Sequence, residues 1–388
     1  MLAVLTVMAM FTGNWCWKEN GYPTYALQAN AWLQGRLDLG QDYPWLELAI
    51  FEGKYYVSFP PFPSYVLLPF ALLFGRNTPD GIISLLFTLA GVWAAARLAQ
   101  GICRDSRQAF FWTMFLFLGT GYLFISLTPA VWFFAQVLCF SLSLLCLYHA
   151  SLGQGGRSLL CWACAVGCRP MALIFLPVPA VILYHRMRRQ EPSSSLLHLL
   201  RRRWYWLLGP ALLGGSYMAL NWARFGNPLE FGHTYLPEFM RAPEGQFSFS
   251  YFLNNFPLLF RLPSLQADGK LSFPTFDTAL FFLVDPFSLP VIAAFLYALF
   301  RGRKARKVQA AGLCVLAMAY IFILCSHRTL GGWQFGNRYF KDIMPWMFFG
   351  LLCLMPGKPW FQLPSRVLMF FGFSLNLLGT VAVFNGWI

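Results

Sequence analysis

The stretch AVWFFAQVLCFSLSLLCLYHA, Ala130–Ala150, contains no Asp, Glu, Lys or Arg. An α-helix needs about 20 mostly apolar residues to cross a bilayer, and this run supplies them. Comparable runs lie on both sides of it. They fall at Met1–Gly13, Gly81–Gln100, Gln108–Leu127, Ser158–Cys168, Met171–His185, Trp204–Ala223, Thr278–Phe300, Val308–Cys325, Pro345–Met355 and Val367–Asn385. The expected fold class is therefore an all-α polytopic membrane protein with about 11 transmembrane helices. Several runs are short, as broken or tilted helices around a cavity would be. Met1–Gly13 lacks the positive start and the small-residue cleavage site of a signal peptide, so it reads as the first membrane helix. Pro61–Gly75 is also apolar but carries Pro61, Pro63 and Pro69, and reads as an interfacial helix.

Composition agrees. Of 388 residues, 58% are hydrophobic and 11% charged; a soluble domain carries roughly 25% charged residues. The net charge of +14 would suggest nucleic acid in a soluble chain, but no nucleic-acid motif is present. Its distribution points to a membrane instead. With the N-terminus inside, the inner loops hold Arg104, Arg107, Arg157, the runs Arg186 to Arg203 and Arg301 to Lys307, Lys358 and Arg366, against only Asp105 and Glu191. That asymmetry is the positive-inside signal.

Three outer segments, Asn14–Pro60, Arg224–Asp277 and Ser326–Met344, exceed the length of ordinary turns. They are rich in Trp, Tyr, Phe and Gly, which argues for an ordered outer-face loop layer. The chain reads as a single domain over 1–388. The first outer segment holds Glu19, Asp38, Asp42, Glu47 and Glu52. Glu19 lies near the expected membrane boundary, where a partly desolvated carboxylate can act as a general base. The same acids could simply solubilise a loop. The last outer segment concentrates Arg328, Arg338 and Lys341 among Gly331, Gly332 and Gly336. Arg grips phosphate oxygens with a planar fork, and glycines let backbone approach closely. Snorkelling to headgroups would use the same cations. Arg169-Pro170 should reach the outer face, and His233 and His327 read as hydrogen-bonded structural residues. Cys161-x-x-Cys164 lies in an apolar run without a His nearby and reads as buried thiols. No His, Cys or carboxylate group has metal-ligand spacing, and no phosphate loop, G-x-S-x-G or H-E-x-x-H motif occurs.

At these residues the sequence resembles the membrane-embedded C-type glycosyltransferases, the relatives of protein O-mannosyltransferases and of the aminoarabinose transferase of lipid A. The resemblance rests on Glu19-Asn20-Gly21-Tyr22 with Ala31 to Asp38, and on Gly53-Lys54-Tyr55-Tyr56 leading into Phe59-Pro60-Pro61-Phe62-Pro63. It continues with Cys168-Arg169-Pro170 and with Gly331-Gly332-Trp333-Gln334-Phe335-Gly336-Asn337-Arg338-Tyr339. It implies a polyprenyl-phosphate-sugar donor and transfer to an acceptor hydroxyl of a protein, lipid or glycan, usually with inversion. The chemistry would lie at the outer face of the plasma membrane. Members place a catalytic Asp early in the first outer loop. Here Glu19 matches that position, with Asp38 or Asp42 as substitutes. Donor phosphate would fall to Arg338 with Lys54, Arg36 or Arg328, because a leaving phosphate needs cations. Tyr22, Tyr55, Tyr56, Trp333 and Tyr339 would stack on sugar, although interfacial anchors use the same residue types. Some members use a divalent metal and others do not, so metal is left open. The alternatives are a transporter or flippase of a lipid-linked saccharide, or an inactive scaffold of an envelope-polymer complex. A transporter would favour paired repeats and midplane ionisable residues, whereas the polar residues here gather in outer loops.

Overall fold

The computed structural model describes residues 1–265, 267, 271–272, 281–331 and 335–387. Among them, every apolar run of the sequence is helical. Five helices are long and apolar enough to cross a bilayer: Asp80–Ile102, Val131–Ser151, Pro170–Gln190, Lys304–Ser326 and Pro359–Phe384. Leu2–Thr12 and Ser288–Arg301 are apolar but shorter. The ends follow local chemistry. Asp105 caps Ser106–Leu118 by accepting the Gln108 amide at 2.7 Å. Gly13 and Gly226 close their helices in the left-handed conformation. Large apolar side chains stand in the open on these helices, among them Leu212 at 75%, Phe300 at 75% and Phe370 at 74% exposure. A water-soluble surface does not carry so many; hydrocarbon is the solvent that suits them. The protein is an integral membrane protein.

The chain divides into two compact units. One comprises Cys16–Gly91 and Thr128–Gln246. Its core helix is Val131–Ser151, whose apolar window is 83% buried. Three elements meet at Gly167. Its carbonyl accepts the Phe62 amide at 3.0 Å. A Cβ there would lie 2.1 Å from the Tyr217 hydroxyl and 2.7 Å from Phe62 Cβ, so only glycine fits. The Pro61–Gly75 run is the helix Phe62–Phe74. It packs on Thr24–Leu33, where the buried Ser64 hydroxyl donates to Gln28 Oε1 at 2.7 Å. Its last turn exposes Leu72, Leu73 and Phe74.

Among the described residues the fold departs from a purely helical one in two short antiparallel ribbons. Leu48–Phe51 pairs with Lys54–Val57, with Leu48 opposite Val57 and Phe51 opposite Lys54. The two-residue turn is Glu52-Gly53, both at positive φ, as a tight hairpin requires. Ser264–Leu265 pairs with Leu271–Ser272.

The other unit comprises Met1–Trp15, Val92–Leu127 and Phe247–Ile388. Ser288–Arg301, Lys304–Ser326 and Phe340–Leu354 pack together, and Pro359–Phe384 packs on Ser106–Leu118 and Leu2–Thr12. The Gln108–Leu127 run is interrupted at Gly119–Gly121 and resumes as Tyr122–Ile125. The freed Gly121 amide donates to Asp285 Oδ1 at 2.9 Å.

Candidate functional site

The segment near residue 336 builds a buried cationic turn. Gly336 has φ 66, which a side chain would resist. Asn337 follows, fully buried, and its Oδ1 accepts the Tyr339 amide at 2.9 Å. Arg338 is next, only 4% exposed. Its guanidinium carbon lies 4.9 Å from the Tyr339 ring centroid, and Nη2 donates to the Tyr339 hydroxyl at 3.2 Å. The backbone here is held from two sides. The buried Tyr320 hydroxyl sits 2.8 Å from the Tyr339 carbonyl oxygen and 3.0 Å from Asp342 Oδ2. Lys341 Nζ donates to Asp285 Oδ2 at 2.5 Å and to the Asn337 carbonyl at 3.3 Å.

That last pair corrects one expectation. Lys341 looked like a third phosphate-binding cation. It is 1% exposed and its charge is committed to Asp285, itself fully buried. A methyl group on Gly121 would lie 2.8 Å from Lys341 Nζ, which explains the glycine at the helix break. Lys341 is a structural clamp on the Arg338 turn. Arg328 is half-buried near the start of the same segment. Trp333 lies outside the described residues.

Phe340, two residues after Arg338, lines an apolar cavity of about 250 Å³. Ile343, Met344 and Met347 line it from the same helix, and Cys314 and Met318 from Lys304–Ser326. Its walls suit a hydrocarbon chain.

The acids sit in the other unit. Glu19 is exposed in the loop after the first helix and makes no side-chain hydrogen bond among the described residues. Its neighbour Asn20 is tied down: Nδ2 donates to Asp80 Oδ2 at 2.6 Å and to the Pro129 carbonyl at 2.8 Å. Asn20 Oδ1 accepts the Tyr22 amide at 2.9 Å, and the Tyr22 ring lies 5.1 Å from Trp132. Asp38 is half-buried, its Oδ1 accepting the Gly40 amide at 2.7 Å in a local turn. Asp42 is exposed. Arg36 is exposed and donates to Gln34 Oε1 at 2.6 Å. Lys54 is exposed at the hairpin tip, Tyr55 is half-buried and Tyr56 is buried. The Tyr55 carbonyl accepts the Leu39 amide at 2.8 Å, which brings the Arg36-to-Asp38 segment against the hairpin. Burial raises the Tyr56 phenol above its ordinary pKa, the Asp38 and Glu52 charges add to this, and Arg224 opposes it.

Two polar residues stand out that sequence reasoning did not assign. Asp80 is 6% exposed at the start of Asp80–Ile102. In the sequence it merely precedes an apolar run, the usual place for a helix-starting acid. Arg224 is 3% exposed, donating to the Val57 carbonyl at 2.9 Å and to Asn221 Oδ1 at 2.8 Å. It fastens the exit of the hairpin to the end of Leu208–Phe225. Its place at the end of an apolar run was the only available signal. Arg169 is half-buried, its amide donating to the Ala165 carbonyl at 2.9 Å. The His233 ring reaches the Ser58 carbonyl at 3.4 Å. Among the described residues no three His, Cys, Asp or Glu side chains gather as a metal-ligand set.

No protein-family model matches this chain, and no curated protein matches its sequence. Solved structures do match. ArnT from Cupriavidus metallidurans, bound to undecaprenyl phosphate, aligns with 94% of this chain and 61% of that one, at 14% identity and a TM-score of 0.55. ArnT in the apo state aligns with 91% of this chain and 58% of that one, at 14% identity and 0.50. The chain thus spans about three fifths of the length of those proteins. The archaeal oligosaccharyltransferase AglB from Archaeoglobus fulgidus, in complex with an inhibitory peptide and a dolichol-phosphate, covers 98% of this chain and 56% of its own at 13% identity. Its TM-score of 0.41 adds nothing to the argument. By its fold the chain resembles ArnT.

Proposed function

We propose that the protein transfers a sugar from a polyprenyl-phosphate-sugar donor to an acceptor hydroxyl at the outer face of the plasma membrane, with its N-terminus inside. The observation that carries this reading is Arg338. It is a buried guanidinium over the Tyr339 ring, on a turn whose backbone carbonyls are held by Tyr320 and Lys341, and Phe340, two positions on in the sequence, lines an apolar cavity. A phosphate attached to a long hydrocarbon chain needs that combination of cation and apolar wall. The ArnT fold, seen elsewhere with undecaprenyl phosphate, supports the same donor class.

The reaction divides into two tasks. The acceptor O–H gives its proton to a carboxylate, and its oxygen bonds to the sugar's anomeric carbon. The bond from that carbon to phosphate oxygen breaks, and polyprenyl phosphate leaves with the electron pair. A single displacement of this kind inverts the anomeric centre. Glu19 is the proposed base, since it is exposed and makes no side-chain hydrogen bond among the described residues; Asp38, which accepts the Gly40 amide, and Asp42, which is exposed, are its alternatives. Arg338 is proposed to stabilise the leaving phosphate, with Arg328 on the same segment. Lys54 and Arg36 are exposed cations on the loop of the acids and are proposed to meet donor phosphate as it arrives.

Membranes supplied with radiolabelled polyprenyl-phosphate hexoses test the reading, with and without EDTA. Wild type should transfer label, Arg338→Ala should lose about 10²–10³-fold as removal of one charge-stabilising donor does, and Glu19→Gln should fall with it. Label transfer absent with every donor would overturn the proposal. Retention in Glu19→Gln alone would move the base to Asp38 or Asp42.

A further inference from the structure

Trp132 opens the Val131–Ser151 helix, and its indole Nε1 donates to Glu47 Oε2 at 3.0 Å. Glu47 is exposed and precedes the first hairpin strand. The buried Ser58 hydroxyl donates to its backbone carbonyl at 3.0 Å, fixing where that strand begins. The Tyr22 ring, 40% exposed, leans on Trp132 at 5.1 Å and 49°. Asn20 holds the Tyr22 amide while its own Nδ2 bonds the Pro129 carbonyl, three residues before Trp132. Two aromatic rings and one carboxylate are thus held by bonds from three separate stretches of chain.

Anchoring at the lipid interface does not account for this group. An indole that anchors gives its N–H to water or headgroups. Here the N–H is committed to a carboxylate, and a carboxylate is repelled by anionic headgroups. Rigid rings offering an apolar face, beside an acceptor-only carboxylate, match a molecule with C–H faces and O–H edges. We infer that Tyr22, Trp132 and Glu47 form a saccharide-binding platform. Glu19 lies three residues before Tyr22 on the same loop. If the transfer reading above holds, on which this step rests, the ring delivered to Glu19 belongs to the acceptor. The acceptor is then a glycan, and not a protein side chain.

The test is saturation-transfer NMR on the full chain in lipid nanodiscs free of sugar detergents. The probes are methyl β-D-glucopyranoside and methyl α-D-mannopyranoside. At least one should show saturable contact. Trp132→Ala and Glu47→Gln should each weaken it about 10-fold or more, as expected for loss of stacking or of a hydrogen bond to a charged group. Trp132→Phe, which keeps an aromatic face, should stay within about threefold of wild type. Trp360→Phe, remote in sequence, controls for contact with exposed Trp in general. Elution as a single folded species guards against misfolding of the alanine variant. No contact in wild type, or contact unchanged in Trp132→Ala, overturns the platform. Label transfer without sugar contact would leave the enzyme and remove the platform. Sugar contact without label transfer would do the reverse.

Discussion

Residues 16–23 and residues 335–342 carry the two kinds of charge that the proposed chemistry requires, and they are built in opposite ways. The cationic turn is buried: Asn337, Arg338, Lys341 and Asp342 are all less than 5% exposed and tied to Tyr320 and Asp285. The acidic loop is open. Glu19 is exposed, and its neighbour Asn20 bridges Asp80 and Pro129. The difference follows from what each charge must do. A cation that stabilises a leaving phosphate works best preorganised in a place that excludes water. A base must meet an incoming hydroxyl and stay charged, which favours access.

The comparison can be broken most directly at the clamp. Lys341→Met leaves Asp285 as a lone buried carboxylate and should destabilise by about 3–5 kcal/mol. Asp285→Leu combined with Lys341→Met removes both charges and should recover most of that. Thermal unfolding in nanodiscs measures both. A double variant as damaged as the single would mean that the pair holds the turn by something other than charge.

A smaller effect is expected on the acidic side. Asn20→Ala removes the bridge and leaves Asp80 without its side-chain donor, a cost of about 1–3 kcal/mol. Hydrogen exchange should rise across residues 16–23 while the amides of 337–342 keep their protection. Equal loss of protection in both stretches would contradict the contrast drawn between them.

The smallest effect belongs to the basic loop around Glu191. Glu191 is bonded by Arg203 at 2.9 Å and Arg202 at 3.1 Å. The Arg203 hydrogen bond, first among its causes, holds the Glu191 carboxyl below the ordinary carboxylate range. A depressed folded-state pKa stabilises above the ordinary value, and that contribution is lost as pH falls through the folded value. Glu191→Gln should therefore flatten the pH dependence of stability on the acid side of the ordinary range, with little change at neutral pH. An unaltered acid limb would show that the half-buried Glu191–Arg203 pair contributes nothing measurable.

Much of the helical architecture was readable because lipid leaves the backbone few options. Every unpaired peptide group in hydrocarbon is costly, so an apolar run must close its own hydrogen bonds as helix. That is why Gly81–Gln100 and Asp80–Ile102, or Val308–Cys325 and Lys304–Ser326, differ by only a few residues. The hairpin at 48–57 was not read, though Glu52-Gly53 is a turn signal, because its strands are four residues each and periodicity needs a longer window. The residues of the proposed site were legible to different degrees. Arg338 and Glu19 emerged from motif order. Trp132 was hidden inside the very run that revealed the fold, and Glu47 among loop acids that looked interchangeable.

What the sequence alone determined is the solvent. Apolar runs with few charges, and basic residues crowded onto alternate loops, specify a helical membrane protein through transfer free energies that add residue by residue. Only the tertiary structure decided which cation is spent on a buried carboxylate. Arg338 and Lys341 lie three residues apart and look alike on paper. One carries its charge above a tyrosine ring, and the other spends it on Asp285, 56 positions away. Pairing of that kind depends on distance in space, and nothing in local composition encodes it.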